Sequence, residues 1–332
     1  MTVVVDRFEL LNVPDESPIA PAGEAIGTDV RPLTIGLLNN MPDTALQATE
    51  RQFLRLLHAA ASQQLVRLHF YSLPTIQRSS EAKERLEASY DAFPSIRQAG
   101  LDGLIVTGAE PKTASLRDES YWDELAEIIA WAKDNTVSTI WSCLAAHAAV
   151  LQLDGIERRR LADKCSGVFA CHQGEADALT TGLRWPLRIF HSRHNDLAER
   201  GLLEAGYRIL SRTEESGIDI FTKNFGSLFV FFQGHPEYDS LSLQREYLRD
   251  VSRYLSGEQR NYPAIPSDYF DAATTSSLQA LRQRALAHRN RVTTTDCRDI
   301  LDLATVNADR RGAAAAIFRN WLAVLQRGRP QH

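Results

Sequence analysis

The sequence has little of several features that would assign it to a specialised class of protein. Only four of its 332 residues are cysteine, and their irregular spacing excludes a disulfide framework. No stretch approaches the roughly 18 uncharged apolar residues of a membrane span, and residues 1–18 lack the basic and apolar regions of a signal peptide. We therefore expect a cytoplasmic protein with reduced thiols.

A strong excess of charge of either sign is also lacking. The chain has 37 basic and 42 acidic residues, which gives a formal net charge of −5. The sequence therefore lacks the excess of basic residues that is typical of proteins that bind nucleic acid or an anionic membrane. The apolar fraction of 44% and the charged fraction of 24% are those of an ordinary soluble globular protein.

Strand-like and helix-like segments alternate in the first half of the chain. Apolar runs predict strands, and amphipathic stretches between them predict helices, at 31–40, 49–62, 65–73, 101–108, 120–135 and 136–150. This order predicts an α/β fold with a mostly parallel, doubly wound sheet and helices on both faces. Ligands bind such sheets outside the carboxyl ends of the strands, where Asn39–Pro42, Thr107–Lys112 and Cys143 would meet.

The remaining chain suggests a division into three parts. We predict an extended N-terminal arm over residues 1–30, an α/β domain over 31–258, and a helical C-terminal extension over 259–332 that packs on that domain. From residue 188 onward the domain shows short strands separated by turns, which we expect to pair partly antiparallel.

Cys143 stands where a strand meets a helix. The β-branched and aromatic run TVSTIW (136–141) precedes it, and LAAHAAVLQL (144–153) follows. Unpaired N–H groups and the helix dipole at such a joint favour a thiolate, the nucleophilic form of cysteine. The alternative is a small buried core cysteine, the commonest role of a free cysteine.

A His-Pro-Glu motif provides a base for that nucleophile. The apolar run SLFVFF (227–232) ends shortly before Gly234, and His235 and Glu237 follow. A carboxylate two residues from an imidazole can accept its hydrogen bond and fix its tautomer. We therefore predict a triad of Cys143 as nucleophile, His235 as base and Glu237 as orienting group, although a lone histidine at a strand end is often structural. Cys165, Cys171 and His172 match no common zinc spacing, and we predict no metal site.

These two motifs resemble those of class I glutamine amidotransferases. The elbow of that family carries Gly two residues and Gln four residues after the cysteine, whereas Ala145 and His147 stand here. The sequence more closely resembles the homoserine O-succinyltransferase family, whose fold is glutamine amidotransferase-like and hence flavodoxin-like. The shared segments are LLNNMP (37–42), ERQFLRLL (50–57), DGLIVTGA (102–109), YW (121–122), DKCSGVF (163–169), HSR (191–193), GHPEYD (234–239) and REYLRDV (245–251).

This resemblance implies an acyl-CoA-dependent O-acyltransferase of methionine biosynthesis. It would move a succinyl group from succinyl-CoA to the hydroxyl of L-homoserine, by a ping-pong mechanism through a cysteine thioester, with no bound cofactor. The partners would be small molecules, and a homodimer is compatible with the sequence. Acetyl-CoA as donor, L-serine as acceptor, a glutaminase or hydrolase on the same scaffold, and a non-catalytic interaction protein remain alternatives.

The resemblance also assigns roles to individual residues. Cys143 would carry the acyl group, with His235 as its base and Glu237 beside it. Lys164, Ser192 and Arg249 would bind the substrate. The cationic Lys164 and Arg249 suit a carboxylate, and the Ser192 hydroxyl suits a polar group. Lys112 would contribute to the choice of acyl group. The oxyanion hole would consist of backbone N–H groups of Leu144, Gly108 and Ala109.

Overall fold

The computed structural model describes residues 3–5, 20–21, 31–62, 64–307 and 311–328. Most of the arm predicted over residues 1–30 lies outside the described residues, although its segments Val3–Val5 and Ala20–Pro21 are strands. The proposed boundary between the domain and the C-terminal extension, at residues 258 and 259, stays a prediction.

The described strands form two sheets. In chain order they are β1 (Val3–Val5), β2 (Ala20–Pro21), β3 (Leu33–Leu38), β4 (Val66–Tyr71), β5 (Gly103–Val106), β6 (Ser138–Ser142), β7 (Arg159–Gln173), β8 (Leu187–Asp196), β9 (Arg208–Ile209), β10 (Ser211–Thr213), β11 (Gly217–Ile218), β12 (Ile220–Asn224) and β13 (Leu228–Phe232). The central sheet has the order β2-β1-β4-β3-β5-β6-β13-β12-β9. Its strands are parallel from β2 to β13, and β12 runs antiparallel to both of its neighbours. The predicted mostly parallel sheet is confirmed.

Helices cover both faces of this sheet, as the doubly wound prediction requires. They are α1 (Asp43–Ala61), α2 (Ser80–Ser89), α3 (Trp122–Asn135), α4 (Leu144–Asp154), α5 (Glu199–Glu204), α6 (Ser242–Ser256), α7 (Ala272–Ala287), α8 (Thr294–Asp302) and α9 (Arg311–Gly328). Successive side chains of a strand point to opposite faces. Ile140 accordingly packs in the cluster with α1 and α9, whereas Trp141 packs in the cluster with α3 and α4.

The last helix is a core element of the fold. Phe318, Trp321 and Leu325 of α9 are fully buried, and they share a hydrophobic cluster with α1 and the central sheet. The indole Nε1 of Trp321 donates a hydrogen bond to Ser138 Oγ of β6, at 2.9 Å. Among the described helices, none combines the length and the apolar character needed to cross a bilayer.

The second sheet, in the order β11-β10-β7-β8, contains a strand that the sequence analysis did not predict. Strand β7 spans 15 residues, and most of its side chains are exposed or half-buried. It therefore lacks the regular alternation of apolar and polar residues that identifies a half-buried strand. Its antiparallel pairing with β8 places Cys165 opposite Arg193 and Ser166 opposite Ser192, which brings Lys164 and Ser192 close together.

Candidate active site

A cavity of about 670 Å³ opens at the edge where the parallel strands end. Its lining includes Met41 after β3, Thr107 after β5, Cys143 after β6 and His235 after β13. The sequence predicted that the loops after β3, β5 and β6 would meet at this edge, and residues of all three loops line the cavity. The strands of a parallel sheet end together, so the residues that follow them share one pocket.

Cys143 occupies a sharp turn between β6 and α4. Its backbone has φ of 52° and ψ of −110°, in a region that non-glycine residues seldom adopt. The turn is held at both ends, because Cys143 N–H donates to Phe232 O at 2.7 Å and its carbonyl accepts from Ala146 N–H at 3.0 Å. A strained strand-to-helix turn of this kind presents the side chain above the sheet. The thiol is half-buried in the cavity wall.

His235 lies in the same cavity and is bonded to Glu237. Nδ1 of His235 is 2.8 Å from Oε1 of Glu237, and both side chains are nearly buried. The ring of Tyr238 stacks on the imidazole, with ring centroids 4.1 Å apart. Burial alone would lower the pKa of His235, but the proximity of Glu237 and Cys143 raises it well above its ordinary value. With Nδ1 committed to Glu237, Nε2 is the nitrogen available to a thiol.

The loop that carries His235 requires a glycine before it. A Cβ on Gly234 would lie 2.6 Å from Ile189 Cγ2 and 2.7 Å from Asp219 Oδ1, so a side chain would displace the loop. The N–H of Gly234 donates to that same Asp219 oxygen at 3.0 Å, and the N–H of His235 donates to Phe190 O at 2.8 Å. These contacts hold the loop of His235 against β8 and against Asp219, which lies between β11 and β12.

A buried polar group lies beneath this loop and consists of Cys171, His191 and Asp219, whose ligand atoms are within 4.8 Å of one another. In the sequence Cys171 stands near Cys165 and His172, whereas the fold brings it to His191 and Asp219. Nε of Arg193 donates to His191 Nδ1 at 3.4 Å. Burial, together with the Arg193 charge, lowers the pKa of His191 and keeps it neutral. An arginine cation in direct contact disfavours a second cation, so the group fits a structural support better than a metal site.

Two backbone segments meet beside Cys143. A Cβ on Gly108 would lie 2.7 Å from Leu144 Cβ and 3.2 Å from Leu144 N, so glycine is what allows this approach. Within the described residues, the N–H groups of Gly108, Ala109 and Leu144 donate to no protein acceptor. The three predicted oxyanion residues are thus brought together, with donors available to a ligand.

Lys164, Ser192 and Arg249 line the same cavity, together with two acidic residues that the sequence analysis missed. Nζ of Lys164 lies 2.8 Å from Asp250 Oδ2 and 3.3 Å from Glu246 Oε2, Ser192 Oγ donates to Glu246, and Arg249 pairs with Asp250 at 2.9 Å. Burial would raise the pKa of Glu246, but the Lys164 charge and the Ser192 hydrogen bond lower it to about 2. Residues 246, 249 and 250 are spaced three and four apart, which places their side chains on one face of α6; this spacing was the sequence signal for the acidic residues.

Lys112 lies on an exposed loop that borders the cavity. Its backbone N–H donates to Glu119 Oε1 at 2.7 Å, which anchors the loop. The carboxylate of the nearby Glu110 is 3.2 Å from Arg253 Nη2, so the two opposite charges form an ion pair. No carboxylate among the described residues lies within 4.0 Å of Lys112 Nζ.

His147 is buried and forms a hydrogen bond that could not be predicted from its place in the sequence. Nε2 of His147 is 3.0 Å from Gln233 Oε1, and burial lowers the pKa of the imidazole to about 4. The ring is therefore neutral, and Nε2–H donates to the amide oxygen. This bond joins α4, which begins after Cys143, to the residue that precedes Gly234 and His235. It ties the helix after Cys143 to the loop that carries His235.

Sequence and structure comparisons relate the chain to known proteins. The family model described as homoserine O-succinyltransferase matches residues 6–329. Homoserine O-succinyltransferase from Rhodopseudomonas palustris is 48% identical over 98% of this chain and 99% of its own, and that from Bradyrhizobium japonicum is 49% identical over 99% and 100%. A solved glutamine amido transferase from Methylobacillus flagellatus is similar at 14% identity, over 91% of this chain and 97% of that chain, with a TM-score of 0.47. Because the family model matches nearly the whole chain and two relatives are 48% and 49% identical to it, the chain belongs to the homoserine O-succinyltransferase family and is an acyltransferase.

Proposed function

We propose that the protein transfers a succinyl group from succinyl-CoA to the hydroxyl of L-homoserine, through a thioester on Cys143. The observation that carries this proposal is the strained turn at Cys143, set beside a histidine whose Nδ1 is 2.8 Å from Glu237. That arrangement supplies a nucleophile, a base and an orienting carboxylate in one cavity. Membership of the family supports the choice of donor and acceptor.

The first half-reaction forms the thioester. Nε2 of His235 accepts the thiol proton of Cys143, and the sulfur attacks the carbonyl carbon of succinyl-CoA. The N–H groups of Leu144 and the Gly108–Ala109 turn stabilise the oxyanion that develops. The bond to the CoA sulfur then breaks, and CoA leaves as a thiol with the proton from His235.

The second half-reaction releases the ester. His235 accepts the proton of the homoserine hydroxyl, and the oxygen attacks the thioester carbonyl. The carbon–sulfur bond to Cys143 breaks, and the thiol recovers its proton from the imidazolium. Glu237 stabilises that imidazolium in both steps, which agrees with the raised pKa of His235.

The charges around Lys164 suit an amino-acid acceptor. Homoserine carries an ammonium and a carboxylate on one carbon, and the wall presents Glu246 and Asp250 beside Lys164 and Arg249. We assign the two acidic side chains to the ammonium and the two cations to the carboxylate. Charge-assisted hydrogen bonds of this kind contribute about 1.5–3 kcal/mol each.

The experiment that tests the proposal is mass spectrometry of the intact protein mixed with succinyl-CoA and no acceptor. We expect the mass of one succinyl group to be added to wild-type protein, to be absent from Cys143→Ala, and to disappear when homoserine follows. Cys165→Ala is the matched control and should acylate normally, because Cys165 lies outside the cavity lining. An unmodified wild type, or an acylated Cys143→Ala, would refute the thioester. Release of ammonia from glutamine would instead favour a glutaminase.

A further inference from the structure

The cations that line the cavity fall into two groups. Lys164, Arg249 and Arg253 each lie within 4.0 Å of a carboxylate, as does Arg193, which pairs with Asp196. Among the described residues, the lining cations without a carboxylate at that distance are Lys112, Arg158 and Arg160. Seven Lys and Arg residues and five Asp and Glu residues line the cavity, an excess of positive charge in a chain of net charge −5.

Arg158 is the most constrained member of this group. It is half-buried in the connection between α4 and β7, where Nη2 donates to Ala114 O at 3.4 Å. Nη1 is buried and has no hydrogen-bond partner. Burial lowers the pKa of the guanidinium, although Glu119 and Glu157 exert an opposing influence from beyond pairing distance. A buried guanidinium N–H without an acceptor is costly, and an anionic ligand would satisfy it.

Arg160 extends the same wall toward solvent. It is the second residue of β7 and lies opposite Asn195 of β8, and its side chain is exposed. Arg158 and Arg160 therefore place two guanidinium groups, one half-buried and one exposed, along one side of the cavity. Planar guanidinium forks match the oxygens of phosphate groups in a bidentate geometry.

We propose that Arg158 and Arg160 bind the phosphate groups of the nucleotide half of the acyl-CoA donor. This inference rests on the proposed function, because it requires an acyl-CoA substrate. In coenzyme A an extended pantetheine arm separates the reactive sulfur from the phosphates, so phosphates would lie at the mouth of the pocket when the thioester carbon reaches Cys143. Arg158 and Arg160 would hold the donor without touching the reacting atoms.

The test compares two donors that differ only in the nucleotide. The double variant Arg158→Gln/Arg160→Gln should raise KM for succinyl-CoA on the order of tenfold to a hundredfold, with kcat little changed, because two charge-assisted contacts are lost. The succinyl thioester of pantetheine, which has no nucleotide, should be used equally well by the variant and the wild type. Arg298→Gln, an exposed arginine outside the cavity lining, is the matched control and should change neither value.

Two results would overturn the assignment: an unchanged KM for succinyl-CoA, or an equal loss with both thioesters, which would indicate general damage to the site. A second measurement does not depend on catalysis. Adenosine 3′,5′-bisphosphate should bind the wild type in calorimetry and bind the double variant at least tenfold more weakly. If the wild type transfers succinyl from neither thioester, the proposed function fails, whereas this binding measurement still decides whether the two arginines form a phosphate site.

Discussion

The close approach of Gly108 to Leu144 gives the sharpest prediction about the mechanism. Gly108→Ala would place a methyl carbon 2.7 Å from Leu144 Cβ, whereas carbon atoms in contact sit roughly 3.5–4.0 Å apart. The two backbone segments must therefore separate by about 0.8 Å or more. Oxyanion donors act at roughly 2.7–3.1 Å, so such a shift removes one of them.

The expected effect follows from the loss of one donor. Removing one oxyanion-hole hydrogen bond costs about 10²–10³ in rate, or roughly 2.7–4 kcal/mol. We expect acylation of Cys143 by succinyl-CoA to slow by that factor in Gly108→Ala, as followed by intact-mass measurement at quenched times in a single turnover. Stability should fall by only about 1–3 kcal/mol, as for other overpacked sites, so the variant should remain folded.

Alkylation of Cys143 by iodoacetamide separates this account from damage to the nucleophile. That reaction builds no oxyanion, so its rate at the Cys143 peptide should stay within a few-fold of wild type. Gly312→Ala is the matched glycine control, because a Cβ there meets nothing within 4 Å. Acylation at the wild-type rate would refute the oxyanion assignment, and an equal loss of acylation and alkylation would show that the turn at Cys143 had moved instead.

Two further predictions concern the base and the acyl group. His235→Ala should abolish acylation, whereas Glu237→Gln should slow it by up to about 10⁴-fold. Glu237→Gln should also move the acid limb of the pH profile of acylation to lower pH, because the Glu237 charge raises the pKa of His235. Wild-type rates and pH profiles for both variants would show that the His-Pro-Glu motif is structural. Lys112→Ala should lower kcat/KM for succinyl-CoA relative to acetyl-CoA by roughly tenfold to a hundredfold, because the lysine can pair with the terminal carboxylate of succinyl. An unchanged ratio would remove Lys112 from the account, and a wild-type preference for acetyl-CoA would refute the donor assignment.

Sequence reasoning was most successful where an interaction is local. His235 and Glu237 are two residues apart, and a rigid Pro236 stands between them, so their 2.8 Å contact depends little on the rest of the chain. The position of Cys143 could be predicted for a similar reason, because a β-branched run followed by an alanine-rich run places it at a strand–helix joint. The parallel sheet followed from the same alternation.

Sequence reasoning failed where pairing partners are distant or patterns are irregular. Strand β7 was missed because most of its side chains are exposed or half-buried, and because a bulge between Arg160 and Cys165 breaks the two-residue alternation. Glu246 was missed because its partners Lys164 and Ser192 lie more than fifty residues away in the sequence. His147 could be recognised as a departure from the family pattern, yet its hydrogen bond to Gln233 spans 86 residues.

By itself, the sequence determined which residue types stand at the ends of the strands: a cysteine after β6, a His-Pro-Glu motif after β13 and a glycine after β5. Only the tertiary structure decided that these ends lie side by side, that Gly108 approaches Leu144, and that Arg158 is left with a buried N–H and no acceptor. The reason is physical: local backbone preferences act over a few residues, whereas the order and register of the strands depend on packing across the whole sheet.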